Sequence, residues 1–320
     1  MRQAGRYLPE YRELRKKHDF LTICKTPDLI LKVTLFPLSR LDVDAAIIFS
    51  DIIFPLKDMG IQVDIKDGVG PQIENPIRSM KDIDEIGSFE PDANVPRLLD
   101  AIKMITREID VPLIGFSGAP FTLASYLIEG GPSKNFAHTK QLMYNDADAW
   151  HKLMDKLSSM VLEYLKLQIH AGVDAVQLFD SWVGCLDASD YQEFVFPHSR
   201  KIFDGLNAES KPVIHFGTGT STILPLMKKA GGSVIGLDWR IPIDEGWAML
   251  GDDVAIQGNL DPAALLGPVD IMESKTSDIL ERVNNRPGHI FNLGHGILQY
   301  TPVENAVRFV DFVHQSSKRA

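Results

Sequence analysis

Short apolar and β-branched runs alternate along the chain with longer stretches in which apolar residues recur every three or four positions. The short runs are Val43–Ser50, Val111–Gly118, Asp174–Asp180, Lys211–Gly217, Ser233–Trp239, Asp253–Leu260 and His289–Gly296, each bounded by turn-forming or polar residues. Most are apolar throughout rather than alternating, the pattern of parallel strands covered on both faces. Val95–Ile109 and Ala149–Ala171 carry the spacing of amphipathic helices. Asn305–Gln315 supplies a last helix after Thr301-Pro302, with proline suited to an early helical position. Ile61–Lys66, followed by Gly68 and Gly70, predicts a hairpin inserted after the first run. Seven strand–helix alternations predict an α/β protein of one domain spanning residues 1–320, a (β/α)₈ TIM barrel that counts one strand short, with a doubly wound sheet as the competitor. The short spacings from Lys211 to Ser233 to Asp253 leave room only for brief helices.

Composition narrows this picture. Of 320 residues, 44% are hydrophobic and 24% charged, which is ample for a core and excludes disorder, collagen and coiled coil. Lys and Arg number 33 against 43 Asp and Glu, a net charge of -10, so a nucleic-acid partner, which needs a basic face, is not expected. A locally positive pocket within an acidic shell remains compatible with a small anion. No apolar run has the length of a membrane span, and the N-terminus carries Arg2 and Arg6 instead of an apolar signal core. Cys24 and Cys185 are too few for a disulfide framework, and a reducing cytoplasm is the expected location.

The strand ends carry most of the candidate chemistry. Asp51, Gly118, Asp180 with Ser181, Gly217 with Thr218, Asp238 with Arg240, Asn259 with Asp261, and His295 would converge on one face of a barrel, where active sites sit. Loops are polar in any case, so the convergence has a plain alternative. Asp51 stands out because it and Ser50 are the only polar side chains across Ala45–Leu56. A carboxylate there needs a cation or several donors to stay ionised, unless it merely caps a turn. Opposite charge comes from the first residues, where Arg2, Arg6, Arg12, Arg15, Lys16 and Lys17 face only Glu10 and Glu13. Guanidinium forks suit carboxylates, and Gly5 would let backbone approach a ligand, although such a segment taken in isolation is more simply a solvated basic tail. Gly217–Thr220 lacks the Lys-Ser/Thr of a phosphate loop and is better read as a turn, while Gly115–Pro120 is a strand-to-helix turn with Tyr126 close behind it. A Ser–His–Asp set from Ser181, His295 and Asp51 has no nucleophile elbow to support it. There is no CxxC, HxxxH or HExxH, so no metal is expected.

Met1–Arg12 (MRQAGRYLPEYR) and Gly115–Gly130 (GFSGAPFTLASYLIEG) resemble the two signature segments of the uroporphyrinogen decarboxylase family. Phe49–Ile52, Leu178–Gly184, Gly236–Arg240, Gln257–Pro262 and Asn292–Gly296 also resemble that family, in the same order, so the likeness spans the chain. The resemblance implies a single (β/α)₈ barrel, a homodimer, no metal or organic cofactor, and removal of CO₂ from the four acetate arms of uroporphyrinogen III to give coproporphyrinogen III. It also implies that Arg2, Arg6 and Arg15, assisted by backbone near Gln3, Ala4 and Gly5, hold substrate carboxylates. By the same resemblance Asp51 accepts hydrogen bonds from the pyrrole N–H groups, Tyr126, Ser181 and His295 make polar contacts, and Phe116 supplies an apolar wall. Family members carry about twenty residues or more before this methionine, so the first barrel strand is expected to be cut short and the chain less active than one with that segment restored. Related barrel methyltransferases are a rival, but they hold zinc with a His-x-Cys element and here His215-Phe216-Gly217 has no cysteine nearby. A non-catalytic tetrapyrrole carrier is the other alternative; it would use the same arginines without needing an ionised Asp51.

Overall fold

The computed structural model describes residues 3–66, 70–91 and 94–317. Seven parallel strands form the main sheet: β1 (Ala46–Ile47), β4 (Leu113–Gly118), β5 (Ala175–Asp180), β6 (Val213–Gly217), β7 (Val234–Gly236), β8 (Ala255–Leu260) and β9 (His289–Leu293), adjacent in that order. Two further strands, β2 (Val63–Lys66) and β3 (Gly70–Ile73), make the expected antiparallel hairpin. Among the described residues no ladder joins β9 to β1, so the curled sheet stays open between them. The helical layer nevertheless continues across that gap, where helix Val303–Ser316 packs against helix Pro27–Leu41. The helices after β6 and β7, Leu224–Ala230 and Ile243–Leu250, are short, as the spacing predicts.

The helices begin and end where local chemistry directs. Asp146 opens the long helix Ala147–Ala171 by accepting a hydrogen bond from the Ala149 amide, satisfying one of the free first-turn donors. Gly172 closes it with φ +119°, its N–H reaching back to the carbonyls of Gln168 and Ile169. That helix buries Trp150, Leu153, Leu157, Val161 and Leu165. Val95–Ile105 is likewise apolar on its inward face and stops four residues before the predicted Ile109.

The main departure from the sequence pattern lies at β1. The whole run Val43–Ser50 is apolar enough for a strand, yet only Ala46–Ile47 pairs in the ladder. After the Ile48 amide meets the Ile114 carbonyl at 3.1 Å, the chain peels away from the sheet. Thr34 Oγ1 then accepts from the Phe49 amide at 3.1 Å. The Gln168 side chain takes the place a longer β1 would fill on β4, accepting from Phe116 N and donating to Phe116 O, both at 2.9 Å. Gly115 leaves room for this, because a Cβ there would stand 2.5 Å from Gln168 Oε1. On the opposite edge of β1, Gln3 does the same: its Nε2 donates to Ala45 O at 2.7 Å, and its Oε1 accepts from Ile47 N at 2.9 Å. Two glutamine amides thus substitute for strand backbone, since buried N–H and C=O groups require partners.

The N-terminal segment is packed, which corrects the solvated-tail reading. Tyr7, Leu8, Tyr11 and Leu14 are buried at helical spacing, and helix Pro9–Lys17 turns its charged residues outward. Arg12 Nη1 donates to the carbonyls of Arg6 and Tyr7, both at 2.9 Å, and Arg40 Nε holds Glu10 at 2.8 Å.

Candidate active site

A cavity of about 530 Å³ opens at the C-terminal ends of the strands. Phenylalanines from three neighbouring strands, Phe116, Phe179 and Phe216, line it as an edge-to-face series with centroid separations of 5.5 and 6.0 Å. Gly236 on β7 makes room for the last of them, since a Cβ there would lie 2.7 Å from the Phe216 ring. One wall is Tyr126 packed against Trp182 with ring centroids 4.0 Å apart and the planes tilted by 36°, and Phe136 lies 5.2 Å from the same indole. Phe49 belongs to another wall, flanked by Tyr11 at 5.7 Å and Phe20 at 5.8 Å.

Polar groups share the cavity with this aromatic surface. The peel of β1 from the sheet delivers Ser50 and Asp51 to the cavity. Asp51 also caps the turn that follows, with Oδ1 accepting from the Ile53 amide at 3.1 Å, so the cap and the site-lining role coexist in one side chain. Gln3, Ala4, Gly5 and Arg6 line the same cavity, as do Tyr126, Ser181 and His295. Arg6 Nη1 donates to Gln299 Oε1 at 3.3 Å, which ties the N-terminal segment to the chain beyond β9. The hairpin contributes Ile65, Gly70 and Pro71. It is fastened to the carbonyl end of helix Pro120–Glu129, where Ile73 N meets Gly130 O and Ile77 N meets Leu127 O, both at 2.9 Å.

Arg15 is not among the lining residues. Its Nη1 donates to His18 O at 3.1 Å and its guanidinium lies 5.9 Å from the ring of Phe20, itself a lining residue. Arg2 lies outside the described residues.

Several motifs singled out in the sequence brace the site. The turn after β6 is held by Asp238, whose Oδ2 accepts from Gly219 N at 2.6 Å and from the guanidinium of Arg240. Thr218 Oγ1 donates to the Ser181 carbonyl. Gly184 is required by this contact, because a Cβ would stand 2.1 Å from Thr218 O. Gly217–Thr220 is therefore turn chemistry, as its sequence favours. Trp239, between Asp238 and Arg240, presents its ring edgewise to His295 at 6.3 Å. His215 is fully buried and packs against Phe203 at 4.7 Å; among the described residues no three His, Cys, Asp or Glu side chains are grouped to hold a metal ion.

Sequence reasoning missed Phe179, Phe216, Trp182, Thr122, Ser50 and Gln299, all cavity-lining. Phe179 and Trp182 stood within a quoted motif, and the alternation of a strand places Gln177 and Phe179 on one face, which could have found the first. Thr122 lies within the Gly115–Gly130 segment, and Gln299 carried no signal of its own.

The pattern of the family Uroporphyrinogen decarboxylase (URO-D) matches residues 1–316. A uroporphyrinogen decarboxylase of Carboxydothermus hydrogenoformans is 52% identical over 319 residues, covering 99% of this chain and 91% of that protein. One from Sorangium cellulosum is 52% identical over 316 residues, covering 98% and 90%. Among solved structures, a methyltransferase from Methanosarcina mazei superposes with a TM-score of 0.79 at 20% identity, covering 95% of this chain and 90% of the other. A B12-independent methionine synthase from Shewanella sp. W3-18-1 superposes at 0.59 with 10% identity, covering 91% and 86%. At those identities the two structures speak to the fold alone, which they share with a barrel architecture. The sequence matches decide the rest: the chain belongs to the uroporphyrinogen decarboxylase family, carboxy-lyases that decarboxylate uroporphyrinogen in porphyrin biosynthesis.

Proposed function

We propose that this chain removes CO₂ from all four acetate arms of uroporphyrinogen III, giving coproporphyrinogen III, with no metal or organic cofactor. The observation that carries the reading is the pairing, in one cavity, of Asp51, the one carboxylate among the described lining residues, with an aromatic lining and the guanidinium of Arg6. An aromatic-lined space suits the reduced macrocycle, and charge at the edge suits its carboxylates.

The chemistry needs an electron sink. Protonation of a pyrrole carbon makes the ring cationic, the C–CO₂⁻ bond breaks with its electron pair flowing into that cation, and a proton is taken up by the exocyclic carbon. The ring proton then returns, so each arm exchanges one CO₂ for one proton. An ionised Asp51 beside the pyrrole N–H groups stabilises the cation as it forms, and does so more strongly in the transition state than in the neutral ground state. Arg6 holds a substrate carboxylate through charge-assisted hydrogen bonds, with Arg2 and Arg15 as further carboxylate partners and backbone near Gln3, Ala4 and Gly5 assisting. Tyr126, Ser181 and His295 orient the arms, and Phe116 packs the ring.

The test is anaerobic incubation with reduced uroporphyrinogen III, followed by separation of products by carboxylate number. Stepwise conversion to the four-carboxylate product is the expected result, and unchanged substrate beside an active family member overturns the reading. A carrier that binds without reacting would show that second outcome with bound porphyrinogen. We further expect a homodimer, read by sedimentation equilibrium, and a cytoplasmic location; among the described residues no helix is long and apolar enough to cross a membrane.

A further inference from the structure

Behind the cavity lies a carboxyl group to which the reaction above assigns no part. Asp180 ends β5 one residue after the lining Phe179, so strand alternation turns it away from the cavity and towards the helices. Its relative exposure is 0%. Oδ1 accepts from Thr122 Oγ1 at 3.1 Å, whereas Oδ2 is buried with no hydrogen-bond partner among the described residues. Thr122 sits in the first turn of helix Pro120–Glu129 and lines the cavity. Its hydroxyl oxygen also accepts from the Trp182 amide at 3.4 Å, and Trp182 stacks on Tyr126.

We propose that Asp180 is a positioning residue for the aromatic wall of the site, acting through the Thr122 hydroxyl on the backbone of Trp182 and so on the Trp182–Tyr126 stack. An ionised Asp180 can only accept, so it draws the Thr122 hydrogen to itself and leaves the threonine lone pairs for the Trp182 N–H. A protonated Asp180 has a hydrogen of its own to place, and Thr122 is the polar group within reach. The carboxyl then donates to the Thr122 oxygen, whose own hydrogen must swing away and whose two lone pairs are shared between the carboxyl and the Trp182 amide, so the tether on the wall is re-aimed and weakened. Burial pushes Asp180 up to about 7, with the Thr122 hydrogen bond pulling the other way, so the two arrangements exchange near neutral pH. The other ionisable groups facing it are Tyr191, from the turn Tyr191–Val195, and Cys185, from the turn Val183–Cys185. Burial raises both, and Lys140, from helix Ala137–Asn145, lies beyond Cys185 with Nζ donating to its carbonyl at 2.8 Å. Neither Tyr191 nor Cys185 titrates at neutrality, which leaves the change to Asp180.

The kinetic consequence rests on the proposed function, so the test has one arm that does not. Near-ultraviolet circular dichroism of the ligand-free protein is followed between roughly pH 6 and 8, with Trp182→Phe used to assign the indole signal. The signal of Trp182 should titrate with a midpoint near 7 in the unaltered chain and lie flat in Asp180→Asn and Thr122→Val. In the second arm Thr122→Val should raise KM for uroporphyrinogen roughly fivefold with kcat changed less than twofold, and Thr122→Ser should restore KM. A Trp182 signal that titrates equally in Asp180→Asn, or a Thr122→Val protein with unaltered KM and unaltered signal, overturns the proposal. If Asp180→Asn does not fold, the threonine variants decide alone. Absence of turnover in the unaltered chain would count against the decarboxylase reading, while the spectroscopic arm would still judge Asp180.

Discussion

Asp51 and Asp180 occupy similar positions in the sequence, each an acidic residue closing an apolar run at the end of a strand region, yet the fold uses them oppositely. Asp51 follows a strand that has left the sheet, so its side chain turns into the cavity while one oxygen caps the next turn. Asp180 is the last residue of a strand that stays paired to its end, and it is wholly buried. A carboxylate becomes available to a ligand here because the backbone ladder is interrupted before it. Regular pairing, by contrast, hides the other, and burial raises it so that it exchanges its proton near neutrality.

The sharpest break in this comparison is Asp51→Asn. Removing its charge should lower kcat roughly 10²–10³-fold, the usual cost of deleting one preorganised electrostatic partner, while coproporphyrinogen binding changes less than threefold. Parallel turnover and equilibrium-binding measurements check this, and an unchanged rate would remove Asp51 from the chemistry. Gly184→Ala comes next, because its new methyl would meet the Thr218 carbonyl at 2.1 Å. Backbone cannot yield as a side chain does, so a loss of about 3 kcal/mol is expected by denaturant titration. Arg6→Lys keeps the charge but loses the planar fork, and KM should rise about tenfold with kcat less affected.

The smallest effects concern pH. Complete burial pushes His215 down to about 4 from an ordinary 6.5, so the unfolded chain takes up a proton there before the folded one does. The stability that neutral His215 supplies is present above pH 6.5 and is lost as pH falls towards 4. His215→Leu should therefore flatten the fall in melting temperature on acidification. Asp180 works in the other direction. Its folded value near 7 exceeds the ordinary 3.8, so the contribution of the protonated form is full below pH 3.8 and is lost as pH rises from there through 7, and Asp180→Asn should remove that decline.

Much of this architecture was legible in the chain. Parallel strands buried on both faces leave a near-continuous apolar signature, and β4, β5, β6 and β8 begin within two residues of the predicted starts and end where expected. Periodicity reports burial, however, and not pairing. The run Val43–Ser50 is as apolar as a strand should be, but whether it stays in the ladder depends on Gln168, a distant residue whose amide occupies the Phe116 N–H and C=O that a longer β1 would use. The site residues divide in the same way. Asp51, Gln3 through Arg6, Phe116, Tyr126, Ser181 and His295 do meet in one cavity. Arg15 shares their motif and is not among the lining residues; its Nη1 donates to His18 O, a contact that spacing does not encode. The basic opening segment looked like a tail because charge dominates its composition, although Tyr7, Tyr11 and Leu14 already showed the spacing of a packed helix.

The clasp that Gln3 makes on β1 couples two processes usually treated apart. Its amide hydrogen bonds are made three residues from Arg6, so the grip on a ligand's acid groups proposed for that arginine and the integrity of the sheet margin share one short piece of chain. By thermodynamic reciprocity, an occupied rim should slow isotope exchange at the Ile47 amide, and a frayed margin should weaken the hold on the ligand to the same degree.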